Sequence, residues 1–112
     1  MSDSTRKYTA SELNLKDEFY DSILNRTKTS TIRLGDVFFP NQLLPLKFET
    51  KPEVIVKVRG VIYNKFLKDL NEADAITDGF TNLTDLKTAL LQFYPNSNAN
   101  TQFTILHFEL DR

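Results

Sequence analysis

The feature that most constrains this chain is one long β-forming segment at residues 53–66. Apolar and basic side chains alternate along it, with one set on each face of the predicted strand: Val54, Val56 and Val58 on one, Lys57 and Arg59 on the other. Gly60 interrupts this pattern, which predicts a bulge or a bend at that position. A strand of this length can curve around a small barrel, so the segment favours a curved sheet.

A second β-forming segment, at residues 102–110, ends close to the C-terminus. Its alternating positions are apolar on both faces, as expected of a strand that is central in a sheet or part of a barrel. Shorter strands are predicted at residues 28–33, where β-branched residues are concentrated, and at residues 46–49. The proline-containing stretch 37–45 between these two strands is predicted to be a loop.

Three helices are predicted, each with its own signal. Residues 14–25 carry Leu15, Phe19 and Ile23 at helical spacing behind the capping residue Asn14. Residues 71–76 follow a capping asparagine and precede Gly79, and residues 83–93 lie between another asparagine and a proline. The helices fall into two groups and do not alternate with the strands. This order favours an α+β fold with a mixed, curved sheet.

Composition excludes several classes of protein. The chain has 112 residues, 40% of them hydrophobic, which suits one domain over residues 13–112 behind a polar, flexible arm at residues 1–12. Because there is no cysteine, disulfide scaffolds and cysteine-based metal sites are excluded. The single histidine, His107, argues against a histidine metal cluster and against a Ser-His-Asp triad. We therefore expect no metal and no other cofactor.

Location and partners are constrained less strongly. No apolar run approaches the ~20 residues of a membrane-spanning helix, and residues 1–11 carry no secretory signal, so we expect a cytoplasmic protein without membrane contact. The formal net charge is −1, so any binding to nucleic acid must depend on a local basic patch. Nothing in the sequence predicts the oligomeric state.

One segment, residues 22–35, carries the chemistry. It contains Arg26, Lys28 and Arg33 together with five hydroxyl side chains, and it has no carboxylate. Such a segment can bind an anion or a polarised carbonyl, because arginine offers a planar fork of donors and lysine a point charge. The alternative is a solvated surface strand without a ligand.

The same segment resembles the signature of the ASCH (activating signal cointegrator homology) domain, a small β-barrel family related to PUA domains. That signature reads Gly-x-Lys-x-x-Glu-x-Arg, with threonine in place of glutamate in one branch, and residues 26–33 read Arg-Thr-Lys-Thr-Ser-Thr-Ile-Arg. Residues 70–80 resemble a further family segment that ends in Asp-Gly-Phe, and Tyr94-Pro95 resembles its helix stop. The resemblance covers about residues 19–110.

The resemblance implies a PUA-like small β-barrel with flanking helices. It also implies a cleft beside the lysine that binds RNA or a modified nucleoside, lined here by Arg26, Lys28, Thr31 and Arg33. One bacterial branch is an amidohydrolase that removes acetyl from N4-acetylcytidine. Its catalytic lysine, threonine and late carboxylate fall on Lys28, Thr31 and Asp78. A protein-interaction module without its own ligand is the third alternative.

Two residues depart from the family pattern: Arg26 stands where the family has glycine, and Asp78 where it has glutamate. Lys28 can act as a base only if its pKa falls through burial or cationic neighbours, which an adjacent Asp78 carboxylate opposes. Lys28 also lies three positions before Thr31, so the two share a face only if Lys28 precedes the strand or a bulge re-aims it. Candidates for stacking on a base are Tyr20, Tyr63 and Phe80.

Overall fold

A computed structural model describes residues 7–111 of the chain. Its strands are β1 (Lys7–Thr9), β2 (Leu13–Asn14), β3 (Ser30–Leu34), β4 (Asp36–Phe38), β5 (Leu43–Lys47), β6 (Val54–Phe66) and β7 (Gln102–Leu110). Its α-helices are α1 (Tyr20–Leu24), α2 (Glu72–Thr77) and α3 (Leu83–Phe93), and 3-10 turns occupy Asp17–Phe19 and Leu67–Asp69.

The sheet has five strands in the order β2-β5-β6-β7-β3 and curls into half of a barrel, while β1 and β4 form a separate parallel pair. Within the larger sheet β2 runs parallel to β5, and the other neighbours are antiparallel. Helix α1 packs against one face of this sheet, and α2 and α3 pack against the other. The predicted α+β class is therefore confirmed. No helix within residues 7–111 has the length and apolar character needed to cross a bilayer.

Strand β6 bends at two irregularities in its pairing with β7. The first register shift lies between Val58 and Gly60, where the sequence predicts a bulge. The second lies between Ile62 and Lys65 and contains Asn64, whose φ of 57° is left-handed. Asparagine is one of the few non-glycine residues that adopt this conformation readily. The two shifts let one long strand follow the curvature of the sheet.

Strand β7 lies between β6 and β3 and buries side chains on both faces, as its apolar pattern predicts. One face contributes Leu106 and Phe108 to a core enclosed by the sheet, α1 and β4. The other face contributes Phe103 and Ile105 to a second core beneath α2 and α3. A strand with a core on each side cannot shift by one residue without exposing apolar groups to water, so β7 fixes the register of its neighbours.

The first predicted helix, at residues 14–25, is wrong over its first half. Leu13 and Asn14 pair with β5 in parallel, and the amide of Leu15 donates to the carbonyl of Lys47 at 2.9 Å. The Asp17 carboxylate accepts hydrogen bonds from two backbone amides and one hydroxyl in the loop between β5 and β6. Tertiary pairing therefore overrides the helical spacing, and only residues 20–24 form an α-helix.

Two segments predicted to lack structure are partly ordered. Within the predicted arm, residues 7–9 form a strand and Ala10 is buried, because β1 pairs with β4. Residues 1–6 of that arm lie outside the described residues. Within the predicted loop 37–45, Val37 is fully buried and β5 already begins at Leu43.

Arg26 adopts a left-handed backbone conformation, with φ of 67°, in the turn between α1 and β3. The resemblance places a glycine here, and the backbone keeps the glycine-like conformation although the residue is arginine. The turn is held by its neighbours. The Asn25 side chain accepts hydrogen bonds from the Thr27 amide and hydroxyl, and the Thr27 amide also donates to the Ser22 carbonyl.

We expect Arg26→Gly to raise the free energy of unfolding by about 0.5–1 kcal/mol. A left-handed residue with a side chain costs ~1–2 kcal/mol, and the greater entropy of glycine in the unfolded chain offsets part of the gain. Urea unfolding measures the change. Asn64→Gly is the matched control and should gain less, since asparagine tolerates this conformation. A less stable Arg26→Gly variant would contradict the assigned strain.

Candidate functional site

A pocket of about 300 Å³ opens between β3, α3 and the 3-10 turn at residues 17–19. Four of the five residues that the sequence assigns to a site line it together: Lys28, Thr31, Arg33 and Asp78. We call it the Lys28 pocket. The fifth residue, Arg26, lies outside it and faces a different cavity. His107, on β7, does not line the Lys28 pocket.

Lys28 reaches the pocket because it precedes the regular strand. Strand β3 begins at Ser30, so the alternation that would point Lys28 away from Thr31 does not apply. The backbone of Thr29 fixes this approach. Its amide donates to the Thr77 carbonyl at 2.7 Å, and its carbonyl accepts from the Phe108 amide at 3.0 Å. The start of β3 is thereby joined to the end of α2.

The Lys28 ammonium is buried, with only 3% of the residue exposed. It donates to the Ser30 carbonyl at 2.9 Å, to the Asp78 carbonyl at 3.0 Å and to the Asp78 carboxylate. An ammonium has three donors, so each has an acceptor here. The ring of Phe19 covers the same group at 4.8 Å from its centroid, where a cation–π attraction adds to the hydrogen bonds.

Asp78 and Gly79 supply the opposite wall. Asp78 follows the last residue of α2 and keeps a helical backbone conformation, and Gly79 comes next with φ of 91°. A Cβ at Gly79 would lie 3.1 Å from the Cβ of Lys28, which is closer than most real contacts. Glycine therefore ends the helix and also leaves space for the lysine stem. Next to this wall, the hydroxyls of Ser30 and Thr77 are 2.9 Å apart and hydrogen-bonded.

Burial governs the electrostatics of the pair. It raises the pKa of Asp78 to about 6, against the lowering effects of Lys28 and Arg33. It also lowers the pKa of Lys28 against the opposing effect of the Asp78 charge, and Arg33 lowers that pKa further. Desolvation therefore lowers the pKa of Lys28 by more than the Asp78 carboxylate raises it.

Thr31 and Arg33 share one face of β3 and offer polar groups to the pocket. Only 5% of Thr31 is exposed, and its hydroxyl makes no hydrogen bond to any side chain or backbone group of residues 7–111. Arg33 is half-buried and donates through Nη2 to the Asn14 carbonyl at 2.9 Å. Its remaining N–H groups can serve a ligand, because a guanidinium has five donors.

Aromatic rings form much of the remaining wall. Phe80, a predicted stacking residue, lines the pocket, and Phe19 meets it edge to face with centroids 6.5 Å apart. Phe93 and Tyr94 close the far side from the end of α3. The other two predicted stacking residues lie elsewhere: Tyr20 packs against Phe48 at 5.2 Å between centroids, and Tyr63 is exposed on β6.

Sequence reasoning missed Phe19 and Phe93 as pocket residues. Helical spacing predicts Phe19 on the apolar face of a helix at residues 14–25, of which only residues 20–24 are α-helical, and Phe93 is the last residue of the predicted helix 83–93. The spacing of apolar residues along a helix does not distinguish a core position from the rim of a cavity. No three acidic or histidine side chains come together as a metal site in the part of the chain that the structure describes.

Comparisons with known proteins show the fold. No protein-family model and no curated protein sequence matches the chain. The crystal structure of an ASCH domain from Lactobacillus crispatus superposes with a TM-score of 0.70 at 17% identity, over 89% of this chain and 79% of that one. That of the hypothetical protein PH0355 gives a TM-score of 0.65 at 19% identity, over 95% of this chain and 100% of that one.

A third crystal structure, of protein EF3133 from Enterococcus faecalis, gives a TM-score of 0.70 at 13% identity, over 90% of this chain and 76% of that one. The chain therefore has the ASCH/PUA-like fold that its motifs indicate. At these identities the similarity concerns the fold, and the chemistry of the pocket has to be argued from its own residues.

The buried ion pair of Lys28 and Asp78 makes the free energy of unfolding depend on pH in a defined direction. The pKa of Asp78 is about 6 in the folded chain and ~3.9 when unfolded, so its contribution to stability falls as pH rises through that window. Lys28→Met removes a group that lowers the pKa of Asp78, so the loss should extend to higher pH. We expect this variant to lose about 3–5 kcal/mol at pH 8, where the carboxylate is buried without a partner.

The loss should be smaller at pH 5, where Asp78 is protonated and neutral. Urea unfolding of both proteins at the two pH values measures the difference. The double variant Lys28→Met/Asp78→Asn has no buried charge at this place, and the extra pH dependence should disappear from it. An equal loss at pH 5 and pH 8 in Lys28→Met would contradict the buried ion pair.

Proposed function

We propose that this ASCH-type domain binds a nucleoside, free or within RNA, with its base in the Lys28 pocket. The observation that carries the proposal is the Thr31 hydroxyl, which lines the pocket between a cation and aromatic rings and has no hydrogen-bond partner among residues 7–111. This hydroxyl is not sealed from the pocket, so it is open to a hydrogen-bond partner there. A ligand that enters the pocket would supply one.

The size and the walls of the pocket suit a flat heterocycle. A volume of about 300 Å³ is at the lower end for small-molecule sites, which are mostly apolar with a few placed polar groups. Phe19, Phe80 and Phe93 provide ring surfaces, and stacking on such rings contributes roughly 1–3 kcal/mol per base. The aromatic lining thus favours a nucleobase over a flexible aliphatic ligand.

The polar groups suit the edge of a base and its substituents. The Thr31 hydroxyl can donate or accept, and Arg33 has donors left for a carbonyl or a phosphate oxygen. The second Asp78 carboxylate oxygen, Oδ2, has no hydrogen-bond partner among residues 7–111 and is a further acceptor. Donor and acceptor groups side by side are what recognition of a base edge requires.

Binding is favoured over catalysis by the hydrogen bonds of Lys28. All three of its donors are taken by Ser30 and Asp78, and no hydrogen bond within residues 7–111 joins it to Thr31. A general base must reach the proton that it removes. In this arrangement Lys28 holds the wall of the pocket and orients Asp78.

A nucleoside amidohydrolase is the second candidate, and the pKa of Lys28 favours it. Burial lowers that pKa, which is the change a lysine needs to act as a base. Thr31 would attack the amide carbonyl, Lys28 would take the hydroxyl proton, and Arg33 would stabilise the oxyanion. The C–N bond would then break as Lys28 returns the proton to the departing cytidine, and water would hydrolyse the acetyl ester left on Thr31. This candidate requires Lys28 to exchange one of its present hydrogen bonds for one to Thr31 when substrate binds.

Binding is tested by calorimetric titration with cytidine and N4-acetylcytidine. We expect Thr31→Val, which keeps the shape and removes the hydroxyl, to weaken binding roughly fivefold to tenfold. Thr84→Val, at an exposed threonine of α3, is the matched control and should leave affinity unchanged. Absence of binding by either nucleoside, or equal affinity of the Thr31→Val variant, would contradict the proposal.

Catalysis is tested by release of acetate from N4-acetylcytidine. If the second candidate is right, the protein turns the nucleoside over, and both Lys28→Met and Thr31→Val abolish release. Binding without acetate release would reject the amidohydrolase and leave the binding domain. Turnover that persists in Thr31→Val would exclude this threonine as the nucleophile.

A further inference from the structure

Arg26, which the sequence assigns to the same site as Lys28, faces a second cavity of about 310 Å³. The two cavities have only Lys28 in common among their lining residues. We propose that this second cavity, the arginine pocket, binds the phosphate of a small phosphate monoester through Arg26 and Arg59. This inference goes beyond the proposed function and does not depend on it.

The charges around the arginine pocket favour an anion. Arg26 forms no ion pair within residues 7–111, and Lys28 is neutralised by Asp78 on its other side. The only carboxylate among its lining residues is Glu109, whose Oε1 lies 3.4 Å from Nη1 of Arg59. Both side chains of that pair are more than half exposed, and such surface pairs are weak. The pocket therefore has a net positive charge.

The backbone conformation of Arg26 also points to a ligand. Arg26 lines the pocket with its backbone in the left-handed conformation described above, which an arginine adopts only at an energetic cost. Strained residues are concentrated at binding and catalytic sites, where the conformation serves a ligand. Glycine would adopt this conformation without strain, but it has no charged side chain. The strained backbone at residue 26 therefore occurs together with a positively charged residue in the pocket lining.

The remaining lining defines the class of ligand. The side chains of Ile23, Phe108 and Leu110 form an apolar floor, and Thr29 adds a hydroxyl. Two guanidinium groups suit the paired oxygens of a phosphate, which arginine binds through two parallel hydrogen bonds. An apolar floor beside them favours a phosphate that carries a small apolar or aromatic group over the inorganic ion.

The test is an NMR titration of the full chain with phenyl phosphate and with inorganic phosphate, followed at the amides of Arg26, Thr27 and Thr29. We expect phenyl phosphate to bind more tightly than inorganic phosphate. Arg26→Gln removes the charge and keeps a side chain on the left-handed backbone. It should weaken phenyl phosphate binding at least about tenfold. Glu109→Gln removes the carboxylate that competes for Arg59 and should tighten phenyl phosphate binding.

Two further variants distinguish a loss of phosphate binding from damage to the fold and from a general effect of removing positive charge. Arg26→Gly should lose phosphate binding although it unfolds at higher urea concentration, a combination that damage to the fold would not produce. Lys68→Gln removes one positive charge from an exposed lysine outside the pocket and should leave binding unchanged. Equal losses in Lys68→Gln and Arg26→Gln, or equal affinities for the two phosphates, would overturn the proposal.

Discussion

The buried contact between Lys28 and Asp78 is the interaction on which the rest of the site depends. Removing two charges from water is costly, and the pair is retained only because each donor of the ammonium meets an acceptor. These hydrogen bonds join the start of β3 to the end of α2, two segments that are 50 residues apart in the sequence. The pair thereby sets the distance between the sheet and the helical layer where the pocket opens.

The surroundings of this pair explain several otherwise unremarkable residues. Gly79 is needed where the lysine stem passes, and Thr29 and Thr77 align the two backbones through a hydrogen bond of 2.7 Å. Phe19 covers the ammonium and at the same time forms part of the pocket wall. The buried contact between Lys28 and Asp78 thus positions part of an aromatic cavity. Beside this contact, Thr31 and Arg33 contribute further polar groups to the pocket.

Much of the fold could be predicted from the sequence because its signals are local and strong. The bounds of β7 and α3 agree with the prediction, since alternation and asparagine capping act over a few residues. The first helix was wrong because its apolar spacing competes with the pairing of Leu13 and Asn14 to β5, which no local pattern reveals. The strand at Lys7–Thr9 was missed for the same reason.

The candidate site was predictable in its polar residues and not in its shape. Lys28, Thr31, Arg33 and Asp78 come together as their motifs indicate, whereas Arg26 faces the opposite cavity. A motif places residues along the chain, but the side to which each one points depends on where the strand begins and how the turn before it is built. The left-handed backbone at Arg26 is a property of that turn, and charge patterning carries no information about it.

The most direct test of the buried pair is a ¹H–¹⁵N correlation spectrum of the lysine ammonium groups near pH 7. We expect one ammonium resonance in slow exchange with water, assigned to Lys28 and absent from the Asp78→Asn protein, while exposed lysines exchange too fast to be seen. If no such resonance appears, or if it persists unchanged when Asp78 is replaced, Lys28 is not held inside the protein by this carboxylate.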